Sequence, residues 1–248
     1  MGADALSDVL KRVRLTGATF FDVRATTPWV AEQAPREEVL PKILPGAKHL
    51  IAYHVVTNGQ AYARLIGGET TRLDTGDVIV FTNGDPHILS SEPGMRPDPA
   101  MRSPVEEASK RQLPFVLDLG GDNGATSNIV CGFLACDAQP FNPLLESLPP
   151  VMVAQRDDSG GLATFVQFAV QETREKRSGG EGVLAKLSEL MFIEVVRRHL
   201  EALPAEQTGW LAGLRDPVVG RTLSLYTVYR RATGPCRMWR GMWVFRAR

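Results

Sequence analysis

The strongest constraint on this chain is a series of short apolar segments, each cut off by residues suited to tight turns. Leu50 to Val56, Ala61 to Ile66, Thr70 to Leu73 and Val78 to Phe81 are separated by Asn58-Gly59, Gly67-Gly68 and Asp74-Thr75-Gly76-Asp77. β-Branched and aromatic residues favour pleated strands, glycine reaches positive φ, and Asp or Asn stabilises its own turn. A chain that reverses about every ten residues is expected to form hairpins wrapped into a small β-barrel.

The remaining composition limits what such a barrel can do. With 248 residues and 44% hydrophobic content the chain can bury a sizeable core, as one large domain or two small ones. Lys and Arg match Asp and Glu at 28 each, so no global field draws it to nucleic acid or an anionic membrane. No apolar run approaches the roughly 20 residues needed to span a bilayer, and the amino terminus lacks a signal-peptide profile, so cytoplasmic residence is expected. Cys131 and Cys136 fall in one predicted strand, so the cysteines are expected as free thiols or ligands rather than a disulfide framework.

Along the chain, Asp4 to Leu15 has the spacing of a short amphipathic helix, expected to pack on the barrel, and Ala18 to Arg24 alternates as a strand. Ser91 to Asn128 is rich in Pro, Gly and charge and reads as a long mobile insertion, either a lid or a tolerated surface loop, with one strand at Pro114 to Leu119. Asn128 to Asp137 is the last clear strand. Leu162 to Lys176 and Val183 to Leu203 then carry helical apolar stripes, joined at Gly179-Gly180 as an antiparallel pair.

Several of these phrases carry a resemblance. Gly76-Asp77 followed by Pro86-His87, Pro28-Trp29 after the first strand, Tyr53-His54-Val55-Val56, and Val130-Cys131-Gly132 together resemble the cupin sensor domain of AraC-type transcriptional regulators. The resemblance implies a cupin jelly-roll barrel, mainly β, with a helical pair that supports it and forms a homodimer contact. It further implies sensing of a small-molecule or redox effector. The rival is a metal-dependent cupin enzyme, a dioxygenase or isomerase, but that would want three or four inward His or Glu ligands. A plain dimerisation module is a third reading.

Strand parity sorts the candidate ligands. His49 and His54 lie on opposite faces of one strand, so only one can point inward, and the family phrase favours His54. His87 and Cys131 complete a candidate set, with Cys136 on the opposite face from Cys131. Two imidazoles and a thiolate would suit zinc or another divalent ion with an open fourth position. The alternative is that the histidines satisfy backbone groups and Cys131 is a small buried hydrophobe. Asp77 reads as a turn residue, Asp85 as a partner that orients His87, and Tyr62, Phe81 and Phe133 as ligand-contacting barrel lining. No nucleophile elbow, phosphate loop or dinucleotide fingerprint is present, and no catalytic residue is assigned.

A second resemblance starts at Trp210. Trp210-Leu211-Ala212-Gly213-Leu214-Arg215-Asp216-Pro217-Val218-Val219-Gly220-Arg221 resembles the opening of the AraC-type DNA-binding domain, with Asp216 as N-cap and Pro217 at the first helical position. From Tyr226 the helical period is lost. Met238-Trp239-Arg240-Gly241-Met242-Trp243-Val244 read two bases out of frame gives Val-Ala, two variable residues, then Val-Gly, which resembles a helix-turn-helix start in that family. An out-of-frame tail is therefore expected, and with it no sequence-specific DNA binding by this chain. The alternative is a basic aromatic arm for nucleic acid or membrane, built on Arg230, Arg231, Arg237, Arg240, Arg246 and Arg248 with Trp239 and Trp243. The expected domains are a sensor barrel over 1–157, a helical segment over 158–208 and an incomplete DNA-binding start over 209–248.

Overall fold

The apolar run at 50–56 becomes β3 (His49–Asn58), a strand buried on both faces at the centre of a six-stranded sheet. The computed structural model describes residues 5–10, 15–98, 115–136, 143–157, 161–175, 177–204, 206, 208–216, 218–220 and 222. The chain divides into two units, residues 14–202 and the pairing of 1–13 with 203–248. The helical segment thus belongs with the sheets, where the sequence reading set it apart at 158–208.

In the larger unit, β10 (Val151–Ala154), β6 (Val78–Phe81), β3, β9 (Thr126–Cys136), β1 (Leu15–Thr26) and β8 (Phe115–Gly120) lie in that order in one sheet. A second sheet of four strands runs β2 (Val30–Gln33), β7 (His87–Ser90), β4 (Gln60–Leu65) and β5 (Thr71–Asp74). All neighbours are antiparallel except β1 and β8, which pair in parallel. The expected closed barrel is therefore corrected to two separate sheets: β10 and β8 end one, β2 and β5 end the other, and among the described residues no ladder joins them.

Between the sheets lies an apolar core that includes Leu50, Ala52, Val56, Ile79, Phe81, Ile129 and Phe133. The alternation is visible in β3, whose even residues enter that core while Ile51 and Tyr53 face the other way. On that outer face sits a long helix, Gly180–Ala202, whose Met191 and Phe192 share a pocket wall with Ile51, Tyr53 and Leu134. Tyr53 donates its hydroxyl proton to Ser188 Oγ at 2.6 Å, because the Ser188 hydroxyl itself donates to Leu184 O at 2.9 Å.

The other helices, in chain order, are α1 (Ala5–Leu10), α2 (Arg36–Ile43), α3 (Pro143–Ser147), α4 (Gly161–Glu175), α5 (the helix Gly180–Ala202) and α6 (Trp210–Arg215). Among the described residues helices hold about as many residues as strands, and the sheets form the frame. In α4, Leu162, Val166, Ala169 and Thr173 are buried at the spacing of one helical face, and the helix packs against α5.

In the smaller unit, Asp216 caps the turn that follows it. Its Oδ1 accepts from the Val218 and Val219 amides, each at 2.8 Å, and these bonds hold its carboxyl below the usual range. The tail expected to be out of frame, its alternative as an arm, and residues 99–114 of the 91–128 insertion lie outside the described residues.

Candidate functional site

His54 on β3 and His87 on β7 come from different sheets and meet in the core, with Nε2 atoms 2.7 Å apart. Both are buried, and Phe81 stacks on the His87 ring with centroids 3.7 Å apart. The turn before β7 fixes the protons. His87 Nδ1 lies 2.8 Å from the Asp85 carbonyl, which can only accept, so Nδ1 carries the proton and Nε2 of a neutral His87 is a bare acceptor. His54 must then donate from Nε2, which leaves its Nδ1 as a lone-pair acceptor. That Nδ1 is buried with no hydrogen-bond partner among the described residues.

Burial keeps both rings neutral. Loss of hydration brings His87 down to about 4, against the raising effect of the Asp85 carbonyl. The same cause, followed by repulsion from His87, holds His54 well below its ordinary value.

His54 also lines an inter-sheet cavity of about 60 Å³, with Phe21, Trp29, Leu89, Cys131 and Phe133 among its walls. Trp29 leads into β2, and its backbone is clamped by Ser91: the Trp29 amide donates to Ser91 Oγ at 3.1 Å, and the Ser91 amide donates to Trp29 O at 2.9 Å. The indole Nε1–H is buried and finds no partner among the described residues. One unpaired donor and one unpaired acceptor therefore belong to residues of an otherwise mostly apolar chamber.

The sequence candidates divide accordingly. His54, Cys131 and Phe133 reach the cavity, while Phe81 buttresses the histidine pair from behind. Tyr62 is corrected: its neighbours Ala61 and Ala63 enter the core, so alternation turns Tyr62 to the outer face of the four-stranded sheet. His49 faces away, with Nε2 2.6 Å from the Thr82 carbonyl. Asp77 bonds the backbone amides of Asp74 at 2.9 Å and Arg156 at 2.8 Å, as a turn residue should. Asp85 orients His87 through its backbone carbonyl, not its carboxylate. Trp29 and Phe21 were not assigned to the lining from sequence, although Pro28-Trp29 was singled out as a family phrase.

These residues do not fit a zinc centre. Two nitrogens that share a tetrahedral ion about 2.0–2.1 Å from each stand well over 3 Å apart, and the histidine nitrogens stand at hydrogen-bond distance instead. Burial, then the Asp22 carboxylate, raises the Cys131 thiol, which opposes the thiolate form a metal needs. Among the described residues no group of three His, Cys, Asp or Glu side chains could hold an ion.

The family model described as Cupin matches residues 4–201. The chain belongs to the cupin family. This cupin is 39% identical over 188 residues to a putative AraC-like transcription regulator of Streptomyces antibioticus, covering 72% of this chain and 57% of that protein. It is 22% identical over 236 residues to the HTH-type transcriptional regulator AlkR of Acinetobacter baylyi, covering 91% of this chain and 70% of that protein. The chain thus spans 57% to 70% of the length of these curated relatives. Among solved structures, ToxT from Vibrio cholerae aligns at TM-score 0.33 and 8% identity, covering 89% of this chain and 83% of that one. No described helix is long and apolar enough to cross a membrane.

Proposed function

We propose that this cupin is the effector-sensing part of an AraC-type transcription regulator, and that its effector enters the cavity between the two sheets. The observation that carries this reading is the chamber itself: a mostly apolar space bounded by strands of both sheets, whose lining residues Trp29 and His54 each keep a buried polar atom with no partner among the described residues. A ligand there touches β1, β2, β3, β7, β8 and β9 together, so it can bias the relative position of the sheets and of helix α5 behind β3. A metal-dependent enzyme is not favoured, because the inward-facing groups are a neutral histidine pair and a protonated thiol.

The regulator reading includes a homodimer. Val183 and Leu190 lie two turns apart on α5, and with Phe168 of α4 they are large apolar side chains left exposed on the helical layer.

The sensing role is tested by screening small molecules for a rise in thermal midpoint, with Ala31→Phe as the blocked control. Ala31 lines the cavity, and a ring there fills it. Compounds that stabilise the wild type and lose that effect in the variant support the reading. If none stabilises the wild type, or every stabiliser acts equally on the variant, the effector is not read in this cavity.

A further inference from the structure

We infer that the inter-sheet cavity takes a small, uncharged, apolar molecule, a compact hydrocarbon being the simplest, and rejects polar and charged molecules of the same size. This rests on the reading of the cavity as the effector site and adds the chemistry of what fills it.

The wall offers a ligand almost nothing but carbon. Phe21, Val23, Leu89, Leu117, Leu119 and Ile129 supply rings and branched side chains from both sheets, and Phe21 and Phe133 pack edge to face at 5.9 Å between centroids. The polar residues among the lining have their polar groups withdrawn. His54 Nε2 is taken by His87, while His54 Nδ1 and Trp29 Nε1 are buried so completely that neither presents surface to an occupant. Gln33 spends its amide nitrogen on the Ala34 carbonyl at 3.3 Å. Cys131 adds a thiol that burial keeps protonated, a soft and weakly polar group.

Charge and size narrow the class further. Among the described residues no Lys or Arg lines the cavity, and its one charged lining residue, Glu32, is an exposed carboxylate, so an anion would lose its hydration with no cation to replace it. Water is a poor occupant for the same reason, because a buried water needs two to four polar partners and this wall withholds them. A volume of about 60 Å³ at roughly 10–15 Å³ per water-sized site corresponds to about four to six non-hydrogen atoms.

The experiment titrates the whole chain with three five-membered rings of nearly equal size: cyclopentane, tetrahydrofuran, and pyrrolidine, which is a cation at neutral pH. Methyl signals of Leu89, Leu117, Leu119 and Ile129 are followed by ¹H–¹³C NMR, with Leu187 and Val195 of α5 as references away from the cavity. Cyclopentane is expected to move the cavity methyls and leave the α5 methyls in place. It should bind about tenfold or more tightly than tetrahydrofuran, whose ether oxygen would lose its water without gaining a donor. Pyrrolidine should leave the cavity methyls unmoved. Ala31→Phe should abolish cyclopentane binding, and the methyl map of the wild type locates the ligand independently of that variant. Tetrahydrofuran binding as tightly as cyclopentane would mean that a donor reaches the cavity. That result, pyrrolidine binding, or cyclopentane shifts confined to α5 would overturn the inference and leave the sensing role standing. If none of the three binds, the inference falls, and the broader compound screen with Ala31→Phe decides separately whether the cavity senses anything.

Discussion

His54 and His87 form a hydrogen bond that crosses from one sheet to the other, since β3 belongs to the six-stranded sheet and β7 to the four-stranded one. Among the described residues no backbone ladder joins the two sheets, so the 2.7 Å contact is a polar tie within an otherwise apolar inter-sheet core. Its geometry needs a neutral His87, because a second proton there would sit on Nε2 and set two donors against each other; a second proton on His54 would sit on its buried Nδ1, which has no acceptor among the described residues.

That requirement makes stability depend on pH. Burial lowers His87 to about 4 and lowers His54 as well, against ordinary values near 6.5, so the unfolded chain binds protons that the folded one refuses. Stability is therefore full above about pH 6.5 and is lost as pH falls toward about 4, with His87 alone contributing on the order of 3 kcal/mol at the acid end. Urea midpoints measured at about pH 7.5 and about pH 5 should fall in the wild type and fall less in the His54→Leu, His87→Leu double variant. A flat wild-type profile would mean that the pair is not buried and neutral.

Removing one partner should cost more than half of removing both. His87→Leu strands the His54 Nε2–H, and His54→Leu strands the His87 Nε2 lone pair, each at about 1–3 kcal/mol. The double variant leaves neither group unpaired, so a double-mutant cycle should return a coupling of about 1 kcal/mol or more. Additive losses would show that the contact carries no energy.

How much of this was legible depended on whether a residue's role followed from local period. That only one of His49 and His54 turns inward is a parity statement, the family phrase picked His54, and β3 obeys parity because both of its faces are buried. Asp77 was legible for the same local reason: its partners are amides of its own corner and of the returning chain. Tyr62 misled because size was read as inwardness, whereas Ala61 and Ala63 are the inward pair and are small enough to pack against the crowded core. Trp29 escaped because its position is set by Ser91, 62 residues away, and no local pattern announces that clamp. Helix α2 carries Pro41 in its interior, a residue that argues against a helix there, and β10 is a four-residue strand only because β6 offers it an edge. Whether the sheets close was not readable at all, since edge pairing is a property of the assembled ladder.

Gly132 should be intolerant of any side chain. A Cβ there would overlap the Tyr53 phenol ring, which is fully enclosed and fixed by its bond to Ser188. Gly132→Ala is expected to cost about 1–3 kcal/mol or more, and Tyr53→Leu in the same chain should return part of it by clearing the overlap. Tyr53→Phe alone removes one buried hydrogen bond and should cost about 1 kcal/mol. Chemical denaturation of the four chains checks this, and a Gly132→Ala midpoint equal to the wild type would contradict the packing.

Protein purified without added metal should hold zinc far below one ion per chain. The argument is the hydrogen-bond spacing of the histidines together with a thiol held protonated by burial. Elemental analysis, backed by the absence of a thiolate-to-metal band on Co²⁺ titration, is the check. A stoichiometric ion lost on His87→Leu would require the rings to separate and would displace the proton relay as the account of this site.

The helical layer should pair two copies of the chain. Val183 and Leu190 fall on one side of α5 and are 37% and 43% exposed, while Phe168 of α4 is 43% exposed, more apolar surface than a lone helical layer needs to leave in water. Leu187, Met191 and Val195 on the same helix are buried, so the exposed residues are not required for packing within the chain. Light scattering at micromolar concentration should give twice the chain mass for the wild type. Leu190→Glu and Phe168→Glu should shift it toward the monomer without lowering the urea midpoint of the monomeric form. A wild type that stays monomeric, or a dimer indifferent to both charges, would move the contact elsewhere on the molecule.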